Sequence, residues 1–197
     1  MLYSFNVKEL EISSEQNGLL DRYQKLVEAY ASVLDLASPK LLTEFQIGLE
    51  RSYPFAQEID DGDQVLDIGS GSGLPGIPVA ILCPDAHITL CEIRLKRAAF
   101  LERAVSSLGL KNVTVYNGDV QKIRGEFNVV AALWVGSLER LYGLSKHVLG
   151  QQWKLISRKG DGMETELEAL KVVAKITMFH VKQLDDGAKL IVVQGES

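Results

Sequence analysis

The chain has 197 residues, 46% hydrophobic and 24% charged, with a formal net charge of −5, which suits one sizeable core with a small appendage and argues against a large nucleic-acid surface while leaving room for a local basic patch. No apolar run approaches the roughly 18 residues of a membrane span, and Met1 to Leu10 lacks the basic flank and apolar block of a signal peptide. Cys83 and Cys91 sit in apolar strings, so neither a disulfide framework nor a zinc site is expected, and the reducing cytoplasm is the expected compartment.

Leu19, Leu20, Tyr23, Leu26, Val27, Tyr30 and Leu34 recur at steps of three and four, the stripe of an amphipathic helix. Ser13 or Ser14 is placed to cap its start. Pro39 interrupts the chain, and a less regular helical stretch containing Leu41, Leu42, Phe45 and Leu49 runs on to Pro54. Residues 1–60 therefore read as an N-terminal helical cap.

The texture changes over 61–197. Short apolar strings (Val65 to Ile68, Ile88 to Cys91, Val113 to Tyr116, Phe127 to Leu133, Trp153 to Ser157) alternate with helical patterns near Gly76 to Cys83, Leu95 to Leu108, Leu138 to Val148 and Met163 to Val172. That alternation predicts a mostly parallel sheet covered on both faces, a Rossmann-like α/β domain. Gly109 suits the left-handed residue that closes a helix. Ile176 to Val181 and Lys189 to Val193 are β-rich and joined by Asp185-Asp186-Gly187, which predicts an antiparallel hairpin at the sheet edge.

The most informative stretch is Val65-Leu66-Asp67-Ile68-Gly69-Ser70-Gly71-Ser72-Gly73-Leu74-Pro75-Gly76, a strand running into glycines with a helix opening behind them. Glycines there allow a sharp turn and close approach of a ligand to the backbone, with helix-start amides facing it. Gly71-x-Gly73-x-x-Gly76 is also the dinucleotide fingerprint. Asp67, at the mouth of the loop, would repel a pyrophosphate but suits the ammonium and sulfonium of S-adenosylmethionine. It also reads as a carboxylate that ties down loop amides.

Glu92 ends the second strand, placed to accept from both ribose hydroxyls or else to be a solvated strand-end acid. After the third strand comes Asn117-Gly118-Asp119-Val120, either a plain turn or the adenine edge, with Asp119 accepting from the exocyclic amine and Val120 against the ring. A terminal hairpin on a parallel sheet fits a methyltransferase better than a dinucleotide domain. Cys91 reads as core, and His87, His147 and His180 share no metal-ligand spacing. Trp134, Tyr142 and Trp153 read as core or edge aromatics. Arg94, Lys96, Arg97 and Arg103 make a positive helix face, solvated or open to phosphate.

The methyl acceptor is narrowed by what is missing. No Asn/Asp-Pro-Pro-aromatic block follows the fourth strand, where the chain reads Ala132-Leu133-Trp134-Val135-Gly136. Cys83-Pro84 reverses the Pro-Cys order of a pyrimidine-carbon nucleophile. Ring nitrogen or oxygen remains, and a ring nitrogen such as guanine N7 needs no general base.

Asp67 to Pro78, ending Leu-Pro-Gly-Ile-Pro, resembles the signature of ribosomal small-subunit methyltransferase G, also called glucose-inhibited division protein B. Lys96-Arg97 with Phe100-Leu101, Ser137-Leu138, Lys159-Gly160 and the Lys189 to Val193 strand extend the likeness. The resemblance implies a class I S-adenosylmethionine-dependent methyltransferase with a mostly parallel seven-stranded sheet, acting on guanine N7 of 16S rRNA, with the small ribosomal subunit or its RNA as partner. Gly69, Gly71, Gly73 and Leu74 would line the methionine and sulfonium end, Glu92 would hold the ribose, and Asp119, Val120 and Gln121 would flank the adenine. Lys96, Arg97 and Lys159 are its candidate substrate contacts. Members carry Ser-Arg-Ala where this chain has Ala132-Leu133-Trp134, and no Trp or His precedes Asp67. These departures suit a divergent homologue, acting on another substrate or binding cofactor without catalysis.

Overall fold

In the computed structural model, residues 10–34, 45–133 and 135–197 are described. Helix α1 (Ser14–Leu34) starts at a reciprocal cap: the Gln16 N–H donates to Ser13 Oγ at 3.2 Å, and the Ser13 N–H to Gln16 Oε1 at 3.0 Å. Its stripe is buried at Leu20, Tyr23 and Val27. Two short helices follow, α2 (Phe45–Glu50) and α3 (Tyr53–Ala56). The expected Pro39 break, residues 35–44 and Trp134 lie outside the described residues.

The alternating half folds as expected: β1 (Gln64–Ile68), α4 (Gly76–Leu82), β2 (His87–Glu92), α5 (Leu95–Leu108), β3 (Val113–Asn117), a 3₁₀ turn at Val120–Lys122, β4 (Phe127–Ala132), α6 (Leu138–Ser145), β5 (Leu149–Lys159), α7 (Met163–Val173), β6 (Lys175–Gln183) and β7 (Lys189–Glu196). The seven strands form one sheet in the order β3-β2-β1-β4-β5-β7-β6. The first five are parallel, and β7 pairs antiparallel with both β5 and β6. The strand order reverses between β1 and β4, which puts a ligand crevice at their C-terminal ends.

Both faces of the sheet are covered, so the strands read as nearly unbroken apolar runs. Val65, Ile88, Leu90, Val129 and Ile156 face the core shared with α1, α4 and α5, whereas Leu66, Ile68, Val130 and Leu155 face the core under α6 and α7. Asp67, two residues after Val65 on its strand, points to the first of these faces.

Gly109 closes α5 at φ 70°, with the Leu110 N–H reaching Val105 O at 3.1 Å. Asp185-Asp186-Gly187 makes the β6–β7 turn, with Gly187 at φ 82°. Element boundaries differ, most at the junction of α6 and β5, since β5 was expected only from Trp153. The expected α6 ran to Val148, but the helix stops at Ser145 and β5 begins at Leu149. The Val148 carbonyl accepts the Phe127 N–H at 2.8 Å, so the chain is already hydrogen-bonded to β4 there. Among the described residues no helix is long and apolar enough to cross a membrane.

Candidate cofactor-binding site

The glycine loop leaves β1 and folds against the end of β2. The N–H groups of Gly69 and Ser70 both donate to Cys91 O, at 2.8 and 3.2 Å, and the Gly73 N–H donates to Ser70 O at 2.6 Å. Gly69, Gly71 and Gly73 all have positive φ, at 73°, 57° and 102°. The three are not equivalent. A Cβ on Gly69 would stand 2.9 Å from Val135 Cγ2, and one on Gly73 would stand 2.6 Å from Ile77 Cδ1 and 2.8 Å from Tyr23 Oη. At Gly71 the nearest atoms are at ordinary contact distance, Gly69 O at 3.7 Å and Arg97 Nη1 at 3.8 Å. Gly76 serves close helix–strand packing, since a Cβ there would collide with Leu90 Cδ2 and stand 2.6 Å from Asp67 Oδ2.

Glu92 is the acid that ties the loop. Its side chain is buried, with Oε2 accepting the Gly71 N–H at 3.0 Å and Oε1 the Arg94 N–H at 2.8 Å. It is therefore not a solvated strand-end carboxylate. Its main-chain carbonyl also accepts from Asn117 Nδ2 at 2.9 Å and from the Gly118 N–H at 3.1 Å, which joins the ends of β2 and β3. Asp119 caps the 3₁₀ turn, its Oδ1 accepting the Gln121 N–H at 3.0 Å. Val120 is already buried beside Ile123 and Phe127, and Gln121 is exposed.

Asp67 sits beneath the loop, with the Ser70 hydroxyl and the Gly76 N–H nearby. It is buried, and neither carboxylate oxygen has a hydrogen-bond partner among the described residues. The neighbouring Ser70 hydroxyl donates instead to the Asp67 main-chain carbonyl at 3.0 Å. Burial lifts the Asp67 carboxyl to about 7, against the pull of the nearby Ser70 hydroxyl and Gly76 N–H and with a small push from Glu92. Burial also pushes the Cys91 thiol up to about 12, helped by Asp67, Glu92 and Asp119. A thiol held neutral in this way is no nucleophile. Three carboxylates thus surround one strand end, and that field suits a cation and repels a pyrophosphate.

These residues fit S-adenosylmethionine. Asp67 is an orphaned buried acid beneath the loop, Gly71 keeps a face that a side chain would fill, and Glu92 retains lone pairs beyond the two amides it accepts.

The basic candidates divide. Lys96 is exposed and Arg97 half-buried in the first turn of α5, where the helix dipole disfavours cations. Arg103 lies over the Tyr30 ring at 5.2 Å, a packing role. Lys159 is turned inward: its ammonium donates to Gly136 O and pairs with Glu166 at 2.8 Å, with only 8% of its side chain exposed. Leu133, at the place where the resemblance expects an arginine, is buried in the apolar core. No group of His, Cys, Asp and Glu able to hold a metal occurs among the described residues.

Periodicity marked Tyr23 only as core. The structure adds that its hydroxyl donates to Ser72 O at 2.7 Å, so α1 touches the glycine loop directly. Gly48 of α2 does so as well, since a Cβ there would meet Leu74 Cδ1 at 2.9 Å. No sequence pattern signals either contact.

Residues 16–190 match the family described as rRNA small subunit methyltransferase G. A relative of that name from Nitrosomonas europaea is 40% identical over 199 aligned positions, covering 93% of this chain and 91% of the relative. Another, from Polaromonas naphthalenivorans, is 31% identical over 186, covering 89% and 83%. Among solved structures, a SAM-dependent O-methyltransferase from Thermotoga maritima superposes with a TM-score of 0.61 at 14% identity, covering 75% of this chain and 65% of that one, and it bears on the fold alone. With the family matched over most of its length and the sheet order of a SAM-dependent methyltransferase, the chain belongs to the rRNA small subunit methyltransferase G family.

Proposed function

We propose that this chain transfers a methyl group from S-adenosylmethionine to N7 of a guanine in 16S rRNA, in the cytoplasm. The observation that carries the cofactor side is the acidic edge at the ends of β1 and β2, where Glu92 is fixed against Gly71 and Asp67 lies buried without a hydrogen bond. When bound, S-adenosylmethionine would supply a methyl activated by its sulfonium. Gly69, Gly71, Gly73 and Leu74 hold the methionine end, Glu92 the ribose, and Asp119, Val120 and Gln121 the adenine edge. Asp67 balances the cationic charge from below.

Guanine N7 carries a free lone pair at neutral pH, so the protein's task is to align it with the methyl and exclude water. No general base is required, which agrees with the neutral Cys91 thiol beside the loop. Lys96 and Arg97 open α5 next to the loop and are suited to an RNA phosphate. Lys159 acts indirectly, holding Gly136 after β4 and pairing with Glu166 of α7.

Leu133 favours a second reading. An apolar core residue stands where the resemblance implies an active-site arginine, which suits a homologue that binds the cofactor with altered or lost catalysis, or one acting on another substrate. Transfer of labelled methyl to small subunits from a strain lacking this protein, with mass-spectrometric mapping, separates the two. A single N7-methylguanine in 16S rRNA supports the first reading. Cofactor binding without transfer to subunits or free 16S rRNA supports the second.

A further inference from the structure

We propose that Tyr23 is a positioning residue of the glycine loop, through which the N-terminal cap sets the affinity for the cofactor; this rests on the reading of that loop as the cofactor site. Tyr23 lies two turns into α1, is fully buried, and donates from its hydroxyl to Ser72 O at 2.7 Å. A peptide unit is planar, so holding its carbonyl fixes the direction of the N–H on its other side. Here that N–H belongs to Gly73 and donates to Ser70 O at 2.6 Å. The Ser72–Gly73 peptide is therefore held at both ends, from α1 on one side and from within the loop on the other.

The contact is local and specific. A Cβ on Gly73 would stand 2.8 Å from Tyr23 Oη and 2.6 Å from Ile77 Cδ1, so the hydroxyl and the glycine lie in close contact. The rest of the loop is held from β2 by Cys91 O and the Glu92 carboxylate. Tyr23 is the hold from the opposite side. Without its hydroxyl the Ser72 carbonyl is left buried against a phenyl edge, and the peptide is free to rotate to recover a donor. Gly71, whose open face would meet the ligand, is one residue from Ser72.

Tyr23→Phe removes the hydroxyl and keeps the ring, and Val27→Ala, one turn further along α1, trims an equally buried side chain away from the loop. Calorimetric titration with S-adenosylhomocysteine is compared with thermal unfolding of the free protein for both. Tyr23→Phe is expected to weaken binding about 3- to 10-fold, the loss of one neutral hydrogen bond. Val27→Ala is expected to lower Tm more while leaving affinity within about twofold, because its loss is packing alone. Wild-type affinity in Tyr23→Phe overturns the proposal, as does equal weakening in Val27→Ala, which would make the effect one of helix packing. Failure of the wild type to bind would instead overturn the cofactor reading.

Discussion

The Glu92 carboxylate reaches from the end of β2 to the glycine loop and accepts the Gly71 N–H at 3.0 Å, so the expected ribose acceptor is also the loop's anchor. Removing it strips the Gly71 and Arg94 amides of their acceptor as well as any ligand contact. Glu92→Ala should weaken S-adenosylhomocysteine binding by about 1–3 kcal/mol and lower Tm as well. Glu92→Gln retains one acceptor and should recover most of the stability but less of the affinity. Titration and melting of both variants check this, and unchanged affinity in Glu92→Ala would remove Glu92 from the site.

Gly71 and Gly73 should respond differently to alanine. At Gly73 a Cβ would clash with Ile77 and Tyr23 and φ is 102°, so Gly73→Ala should lose more than 2 kcal/mol, about the scale of a strained backbone together with overpacking. At Gly71 the space is open and φ is 57°, so Gly71→Ala should cost about 1 kcal/mol of stability. Its affinity should nevertheless fall at least about tenfold, because the methyl would take the ligand's place. Parallel denaturation and binding curves test the contrast, and equal affinities in Gly71→Ala and wild type would show that the ligand does not approach there.

Asp67 gives stability an unusual dependence on pH. Its carboxyl is raised by burial from 3.8 to about 7 in the folded chain, so folding favours the protonated form. That contribution is complete below the unfolded value, declines as pH rises through the window from 3.8 to about 7, and is absent above it. Relative to wild type, Asp67→Asn should therefore gain about 2–4 kcal/mol between pH 4 and pH 8. A cationic ligand favours the carboxylate, so wild-type affinity should rise as pH rises toward about 7 and level off above it, and that of Asp67→Asn should not. A pH-independent stability difference between the two proteins would contradict this.

Lys159 and Glu166 should behave as a half-buried ion pair, with the lysine the buried partner. Glu166 Oε2 accepts from both Lys159 Nζ at 2.8 Å and the Leu138 N–H at 3.0 Å, so it joins β5 to the start of α6. Glu166→Gln preserves shape but leaves the Lys159 ammonium without its counter-charge, at a cost of about 1–3 kcal/mol. Denaturant unfolding measures it. A cost below about 0.5 kcal/mol would mean that Gly136 O alone satisfies the lysine.

Most of the fold was legible because its strands are buried on both faces and its helices present one apolar stripe, two periods that differ clearly in sequence. The glycine loop and Glu92 were legible because backbone turns and strand ends fix their spacing. The division of labour between the acids was not, since whether Asp67 or Glu92 reaches the amides depends on side-chain direction across two strands. Tyr23 reads as core because periodicity reports which face a residue occupies and says nothing of its hydroxyl. Lys159 was a candidate substrate contact, and nothing in the sequence signals that Glu166 of the following helix pairs with it.

The central claim, that the loop after β1 and Glu92 form an S-adenosylmethionine site, is tested most directly by calorimetric titration of the wild-type chain with S-adenosylhomocysteine and, separately, with NAD. Micromolar binding of the first and none of the second is predicted, as the acidic edge requires. Binding of NAD with no affinity for S-adenosylhomocysteine would contradict the claim.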